Sequence, residues 1–159
     1  PLALGERDLE GLRVLVVDDE EAVRHVVQRT LERLGSSVLA VADGEEAAAL
    51  YEVECEAIDC VLLDATMPKL SGDEVLRLLR SKRVDVPVVL MSGYFESDVR
   101  REGPEDAFSG YLQKPFTPLE LELELRKALA QRLPDHVLIP HPPTVPNARV
   151  ETPAGVLER

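Results

Sequence analysis

The sequence lacks a long apolar run and has few basic residues, and both shortages limit its possible roles. No stretch approaches the roughly 20 apolar residues of a membrane span, and the N-terminus lacks the basic region and apolar core of a secretory signal. Lys and Arg total 18 against 30 Asp and Glu, a net charge of -12, whereas nucleic-acid-binding surfaces need clustered positive charge. We therefore expect a cytoplasmic domain that binds neither nucleic acid nor membrane directly.

Cysteine is also scarce. Cys55 and Cys60 have no Cys or His partners at the spacing of zinc ligands. A chain of 159 residues with two cysteines is not a disulfide scaffold. We expect two buried thiols in a reducing compartment, with a disulfide between them as the alternative.

The length suits one folded domain with tails. Residues 1–11 form a polar lead-in or linker, residues 12–133 carry the periodic apolar pattern of a domain, and residues 134–159 form a Pro-rich tail that should be extended. Because residue 1 is Pro rather than Met, we expect the chain to be processed, tagged or cut from something longer.

Short apolar runs alternate with amphipathic segments along the domain. The runs at 13–17, 38–41, 60–63, 86–91 and 110–113 predict strands, and the segments 21–34, 45–55, 72–81 and 117–133 predict helices, with a short, loosely held helix within 93–109. This alternation predicts an α/β, doubly wound, flavodoxin-like three-layer sandwich. We expect a parallel five-stranded sheet in the order 2-1-3-4-5.

The last predicted helix contains an ambiguous pattern. Leu and Glu alternate from 119 to 125 as in a strand. However, Thr117 at the cap, Pro118 at the first position and Glu120 at the third predict a helix with a capping box. Leu119 and Leu123 fall beside the main apolar stripe, so they either widen the core-facing surface or form part of a partner surface.

Polar residues of different kinds follow four of the predicted strands. Ligands of open parallel sheets bind outside the carboxyl ends of the strands, where the strand order reverses, so these side chains should meet there. They are Asp18 and Asp19, Asp64, Ser92 and Lys114. Three neighbouring carboxylates favour a hard cation such as Mg²⁺. One of them could attack phosphorus as a nucleophile, with an ammonium and a hydroxyl nearby to neutralise and orient the phosphoryl group.

With these residues in place, the chain resembles the receiver domain of bacterial response regulators. The motifs are residues 14–20 (VLVVDDE), 62–64 (LLD) with Met67-Pro68 and Gly72, 90–93 (LMSG) and 111–116 (YLQKPF). The resemblance implies that Asp64 accepts a phosphoryl group from a phosphohistidine donor. The donor would be a histidine kinase or a histidine phosphotransfer protein.

The same resemblance implies a role for each site residue. Mg²⁺, or Mn²⁺ in its place, would be held by Asp18, Asp19, Asp64 and the backbone carbonyl of Thr66. Lys114 would pair with the phosphoryl group. The peptide bond between Lys114 and Pro115 is commonly cis in the family. Ser92 would move to bond the phosphoryl oxygen.

The resemblance also implies a conformational switch. When Ser92 moves, Tyr111 would turn inward and alter the surface formed by the predicted fourth helix, the fifth strand and the last helix. That surface is a candidate homodimer interface. Thr66 and Tyr94 lie where side chains tune hydrolysis of the phosphoryl group.

Several functions fit the chain. The first is a signalling phosphoacceptor that is not an enzyme beyond its own phosphorylation and dephosphorylation. The motifs of the chain resemble those of receivers in hybrid sensor histidine kinases. A stand-alone regulator without an output domain is the alternative. An aspartate-nucleophile phosphatase of the haloacid dehalogenase type would need a second acid where Thr66 stands. A phosphorylation-independent interaction module is disfavoured because every site position is filled.

Overall fold

Five parallel strands form one sheet at the centre of the protein. The computed structural model describes residues 9–93 and 108–131. The strands are β1 (Arg13–Val17), β2 (Ser37–Val41), β3 (Cys60–Asp64), β4 (Val88–Ser92) and β5 (Gly110–Gln113). Their order is β2-β1-β3-β4-β5 and every pairing is parallel. The predicted fold class and strand order are confirmed.

Helices follow the strands along the chain. They are α1 (Glu21–Arg33), α2 (Gly44–Glu54), α3 (Gly72–Lys82) and the last helix (Pro118–Ala130), with a single 3₁₀ turn at Cys55–Ala57. The predicted fourth helix, within 93–109, and the Pro-rich tail lie almost wholly outside the described residues. None of the helices described here combines the length and apolarity that crossing a bilayer requires.

Side-chain capping sets the starts of three helices. Asp43 accepts a hydrogen bond from the Glu46 N–H at the start of α2. Ser71 forms a reciprocal capping box at the start of α3, and Thr117 does the same with Glu120 at the last helix, with Pro118 at its first position. The capping box predicted for the last helix is therefore present. Such caps stabilise a helix because they satisfy backbone donors that the first helical turn leaves unpaired.

The sheet is buried on both faces, as its apolar strands predict. Side chains alternate along a strand, so Val14 and Val16 enter the cluster beneath α1 and the last helix, whereas Leu15 and Val17 enter the cluster beneath α2 and α3. Strands β3 and β4 are buried at every residue. This two-sided burial explains why β3 and β4 are nearly continuous apolar runs rather than alternating apolar and polar residues.

Packing begins before the first strand. Leu9 is buried in the cluster beneath α1, and its carbonyl accepts a hydrogen bond from Ser36 Oγ at 2.6 Å. Gly11, at a φ of 76°, donates its N–H to the Gly35 carbonyl at 2.9 Å. Packing onto the domain therefore includes Leu9, which lies before the predicted boundary at Leu12.

The two cysteines face opposite sides of the sheet. Cys60 is buried in the cluster beneath α1, whereas half-buried Cys55 packs against the cluster beneath α2 and α3. Both are free thiols. The free thiols agree with the prediction, except that Cys55 is half-buried rather than buried.

The buried apolar stripe of the last helix is narrower than it would be if Leu119 and Leu123 belonged to the core-facing surface. Leu121, Leu125 and Leu129 are buried, whereas Leu119 is 62% exposed and Leu123 is 50% exposed. A shift of two residues turns a helix by about 200°, which places these two leucines opposite the buried stripe. The prediction that they widen the core-facing surface is wrong.

Candidate functional site

The carboxyl ends of β1 and β3 bring three carboxylates together. Val17 is in register with Leu63, so the next residues along these parallel strands, Asp18 and Asp64, come side by side. Carboxylate oxygens of Asp18, Asp19 and Asp64 all lie within 4.8 Å of one another. Asp18 and Asp64 are buried, whereas Asp19 is exposed. The site thus opens to solvent on the Asp19 side.

Lys114 enters the same site from the end of β5. Its Nζ lies 2.7 Å from Asp18 Oδ2, 3.3 Å from Asp64 Oδ1 and 3.4 Å from Glu20 Oε1. The contact with Asp18 Oδ2 is an ion pair without the alignment of a hydrogen bond. The ammonium is therefore shared among carboxylates from two other segments of the chain.

The backbone holds Lys114 in place. Its N–H donates to the Ser92 carbonyl at 2.7 Å, and the Lys114-Pro115 peptide is cis, as the resemblance implied. These contacts connect the end of β4 to the end of β5.

The charges at this edge shift one another's pKa values. Burial raises the pKa of Asp64 to about 6, the neighbouring Asp18 carboxylate adds to the rise, and Lys114 opposes it. Burial alone would lower the pKa of Lys114, but the carboxylates of Asp18 and Asp64 outweigh it, and that pKa is raised. The carboxylates of the site therefore carry more negative charge than the Lys114 ammonium neutralises.

This donor set fits a divalent cation. Mg²⁺ takes oxygen ligands, and one or two carboxylates completed by water and phosphate oxygens are its usual protein environment. Asp18, Asp19 and Asp64 supply such oxygens within 4.8 Å of one another, and a cation there would relieve the repulsion between Asp18 and Asp64.

Thr66 lies beside the site in the exposed loop after β3. Its N–H donates to Asp64 Oδ1 at 3.4 Å. Gly72 follows, where an added Cβ would lie 3.1 Å from the Asp64 carbonyl, so the absence of a side chain lets α3 begin close to the end of β3. The role of the Thr66 carbonyl as a metal ligand stays a prediction.

Ser92 and Tyr111, the two residues of the predicted switch, lie on the neighbouring strands β4 and β5. Ser92 is buried as the last residue of β4, one residue beyond the Asp64–Met91 register pair. Tyr111 is half-buried in β5, and its ring meets Phe108 edge-on with centroids 5.8 Å apart. Tyr94 lies outside the described residues. Motion of Ser92 and Tyr111 stays a prediction.

Two residues that the motifs did not assign also contact the site. The Glu20 N–H donates to Asp18 Oδ1 at 2.9 Å, and its side chain reaches Lys114. Arg24 donates from Nη1 to the Asp18 carbonyl at 2.7 Å. The position of Glu20 directly after the acidic pair could have predicted its contact with the site. Nothing in the sequence distinguishes Arg24 from other basic residues on a helix surface.

Comparison with known proteins agrees with this geometry. The family model of the response regulator receiver domain matches residues 14–126. The alkaline phosphatase synthesis transcriptional regulatory protein PhoP of Bacillus subtilis is 37% identical over 117 residues, which is 74% of this chain and 48% of PhoP. The sensor kinase CckA of Brucella abortus is 36% identical over 126 residues, which is 79% of this chain and 13% of CckA.

Solved structures share the fold. The response regulator TrrA of Thermotoga maritima, whose structure is a complex with Mg²⁺-BeF, has a TM-score of 0.66 and 33% identity over 74% of this chain and 99% of its own. The chain spans about half the length of curated relatives such as PhoP. The family match covers most of the chain, including all the strand-end residues of the site. The chain therefore belongs to the family of response regulator receiver domains.

Proposed function

We propose that this domain is the phosphoacceptor of a two-component phosphorelay and that Asp64 is the acceptor. An Asp64 carboxylate oxygen bonds to the phosphorus of a phosphohistidine, the P–N bond breaks, and the imidazole leaves with the electron pair and takes up a proton. One observation carries the proposal: a buried carboxylate lies 3.3 Å from an ammonium and within 4.8 Å of two further carboxylates. Transfer of a phosphoryl group needs this kind of positioning and charge neutralisation.

Each neighbouring residue has a distinct task in this proposal. Receiver domains bind Mg²⁺ at an acidic pocket, and here Asp18, Asp19, Asp64 and the Thr66 carbonyl would hold Mg²⁺, or Mn²⁺ in its place. An ion bound by these residues would neutralise charge on the phosphoryl oxygens. Lys114, already 2.7 Å from Asp18 Oδ2, exchanges carboxylate partners for the phosphoryl group.

The switch belongs to the same proposal. The phosphoryl group adds about -1.5 to -2 of charge with strong acceptor oxygens, towards which the Ser92 hydroxyl moves. Tyr111 then changes rotamer, and the surface of β5 and the last helix changes with it. Homodimerisation through that surface and the predicted fourth helix, and tuning of hydrolysis by Thr66 and Tyr94, are further parts of the proposal.

The context of the domain is proposed as well. Receiver domains interact with histidine kinases or phosphotransfer proteins, and we propose a cytoplasmic signalling module without catalytic turnover or direct nucleic-acid binding. The similarity to CckA supports a receiver within a hybrid histidine kinase, whereas the similarity to PhoP supports a stand-alone response regulator as the alternative. Sequencing the reading frame on both sides decides this point: a kinase domain in frame upstream supports the hybrid, and its absence removes it.

Intact-protein mass spectrometry after incubation with acetyl phosphate and Mg²⁺ tests the acceptor. The parent should gain one phosphoryl mass, Asp64→Asn should gain none, and Asp73→Asn, which alters an exposed carboxylate in the first turn of α3, should behave as the parent. If the parent binds Mg²⁺ but gains no mass from acetyl phosphate or a phosphorylated histidine donor, the domain is instead a phosphorylation-independent interaction module.

A further inference from the structure

Asp18 is held at each of its polar groups. Its N–H donates to the Val41 carbonyl at 3.2 Å, Oδ1 accepts from the Glu20 N–H at 2.9 Å, and Oδ2 lies 2.7 Å from Lys114 Nζ. The remaining group, the carbonyl, accepts from Arg24 Nη1 at 2.7 Å. Asp18 is fully buried, so these partners replace the water that the carbonyl and carboxylate would otherwise bind.

Asp19 is in a different situation. It is exposed, and among the described residues its carboxylate has no hydrogen bond or ion pair, although it lies with Asp18 and Asp64 in the acidic cluster. Its direction therefore depends on its backbone. The carbonyl of Asp18 and the nitrogen of Asp19 belong to one planar peptide unit, so a group that anchors that carbonyl also orients the backbone from which the Asp19 side chain departs.

We propose that Arg24 is a positioning residue for Asp19. By holding the Asp18 carbonyl, the guanidinium fixes the plane of the peptide between the two acidic residues and keeps the Asp19 carboxylate directed at the cation site. This inference rests on the metal site of the proposed function, but it does not depend on phosphoryl transfer.

The location of Arg24 suits this task. Arg24 lies in the first turns of α1, where its N–H donates to the Glu20 carbonyl at 3.1 Å, so the guanidinium extends from an ordered helix. The side chain is half-buried, and a guanidinium hydrogen bond to a buried carbonyl is stronger than a neutral one. Arg24 thus joins the helix to the loop that carries both acidic residues.

Charge and position predict opposite effects, which makes the proposal testable. As a plain positive charge near a cation site, Arg24 should weaken Mg²⁺ binding, so its removal would tighten it. As a positioning residue, its removal should weaken Mg²⁺ binding because Asp19 loses its fixed direction. The sign of the change separates the two roles.

The test is calorimetric titration of Mg²⁺ into the parent and three variants. We expect Arg24→Gln to weaken Mg²⁺ binding about tenfold, the lower end of the range for groups that orient metal ligands. Arg24→Lys keeps the charge and should recover part of the affinity. Arg29→Gln removes the same charge from an exposed position on α1 and should leave the affinity unchanged or slightly higher.

Amide hydrogen exchange without metal gives an independent measurement. Loosening of the loop should speed exchange of the Glu20 N–H in Arg24→Gln but not in Arg29→Gln. Unchanged or tighter Mg²⁺ binding in Arg24→Gln, or unchanged exchange of the Glu20 N–H, would overturn the proposal. The melting temperatures of the variants and the partial recovery in Arg24→Lys show whether a loss of affinity comes from global unfolding. A parent that binds Mg²⁺ but takes up no phosphoryl group would refute the proposed function and leave the role of Arg24 standing, whereas a parent that binds no Mg²⁺ would refute both.

Discussion

Asp64 is easier to protonate than an ordinary exposed carboxylate when no cation is present. Burial and the nearby Asp18 carboxylate raise its pKa from 3.8 to about 6, despite the contact with Lys114. A carboxylate that is costly to ionise in the native state is common at functional sites, because the ligand rather than the fold compensates its charge. The residue thus couples cation binding, pH and stability.

The pKa of Asp64 predicts how the metal-free domain responds to pH. Between about pH 4 and 6 the native state binds the Asp64 proton more tightly than the unfolded state, so this residue makes stability fall as pH rises through that window and level off above it. Asp64→Asn should remove this contribution and raise the free energy of unfolding at pH 7 by about 1 to 2 kcal/mol, less than the full shift implies because solvent at the open Asp19 side screens the site.

Urea unfolding in a chelator, from pH 4 to pH 8, checks this prediction. The difference between variant and parent reports Asp64 together with its coupling to Asp18 and Lys114, because carboxylates away from the site contribute equally to both. A variant that is no more stable than the parent at pH 7 would show that Lys114 already compensates the Asp64 charge.

At the scale of elements, the last helix shows how a local pattern can mislead. Its Leu-Glu alternation has the period of a strand, yet the Thr117 capping box and Pro118 start a helix there. In a helix, alternate residues point to opposite sides, so Leu121 and Leu125 are buried while Leu119 and Leu123 are exposed. The element type was predictable from its capping residues and the buried stripe from the helical period, whereas the sequence left open whether Leu119 and Leu123 are covered.

Two leucines of this helix should therefore differ in their effect on stability. Leu125→Ala empties a buried position in the cluster beneath α1 and should cost about 2 to 5 kcal/mol of unfolding free energy. Leu123→Ala, at a half-exposed position, should change it by less than about 0.5 kcal/mol. Thermal and urea unfolding of the two variants compare them directly, and equal losses would mean that Leu123 is covered in solution.

At the scale of the whole molecule, the sheet is the scaffold that makes the site. Strands β1, β3 and β5 deliver Asp18, Asp64 and Lys114 to one edge from positions far apart in sequence. Binding of a cation at this edge should stabilise the entire fold, because the unfolded chain cannot assemble the ligands.

The melting temperature should therefore rise with Mg²⁺ concentration, and the effect should depend on pH. At 100 times the dissociation constant the added stability is about 2.7 kcal/mol. Because Mg²⁺ displaces the proton from Asp64, whose pKa is about 6, the apparent affinity should increase from pH 5 to pH 7 and then level off. Differential scanning fluorimetry at pH 5, 6, 7 and 8 measures both trends, and equal stabilisation at pH 5 and pH 7 would contradict the assigned coupling.

The sequence by itself determined the order of the described strands and helices, the capped start of the last helix and the main residues of the site. Each of these depends on short-range patterns: apolar runs, capping residues, and polar residues at strand ends such as Asp18, Asp64 and Lys114. The family resemblance added their roles. These patterns involve residues close together in the chain, so they can be recognised in a single sequence.

Only the tertiary structure decided which groups meet at that edge and which faces are covered. It placed Glu20 beside Lys114 and Arg24 on the Asp18 carbonyl, put Leu9 into the core, and set Cys55 and Cys60 on opposite faces of the sheet. These contacts depend on side-chain direction and on packing between distant segments, where a rotation of one helix exchanges buried and exposed positions. Such long-range geometry leaves no periodic trace in the order of residues.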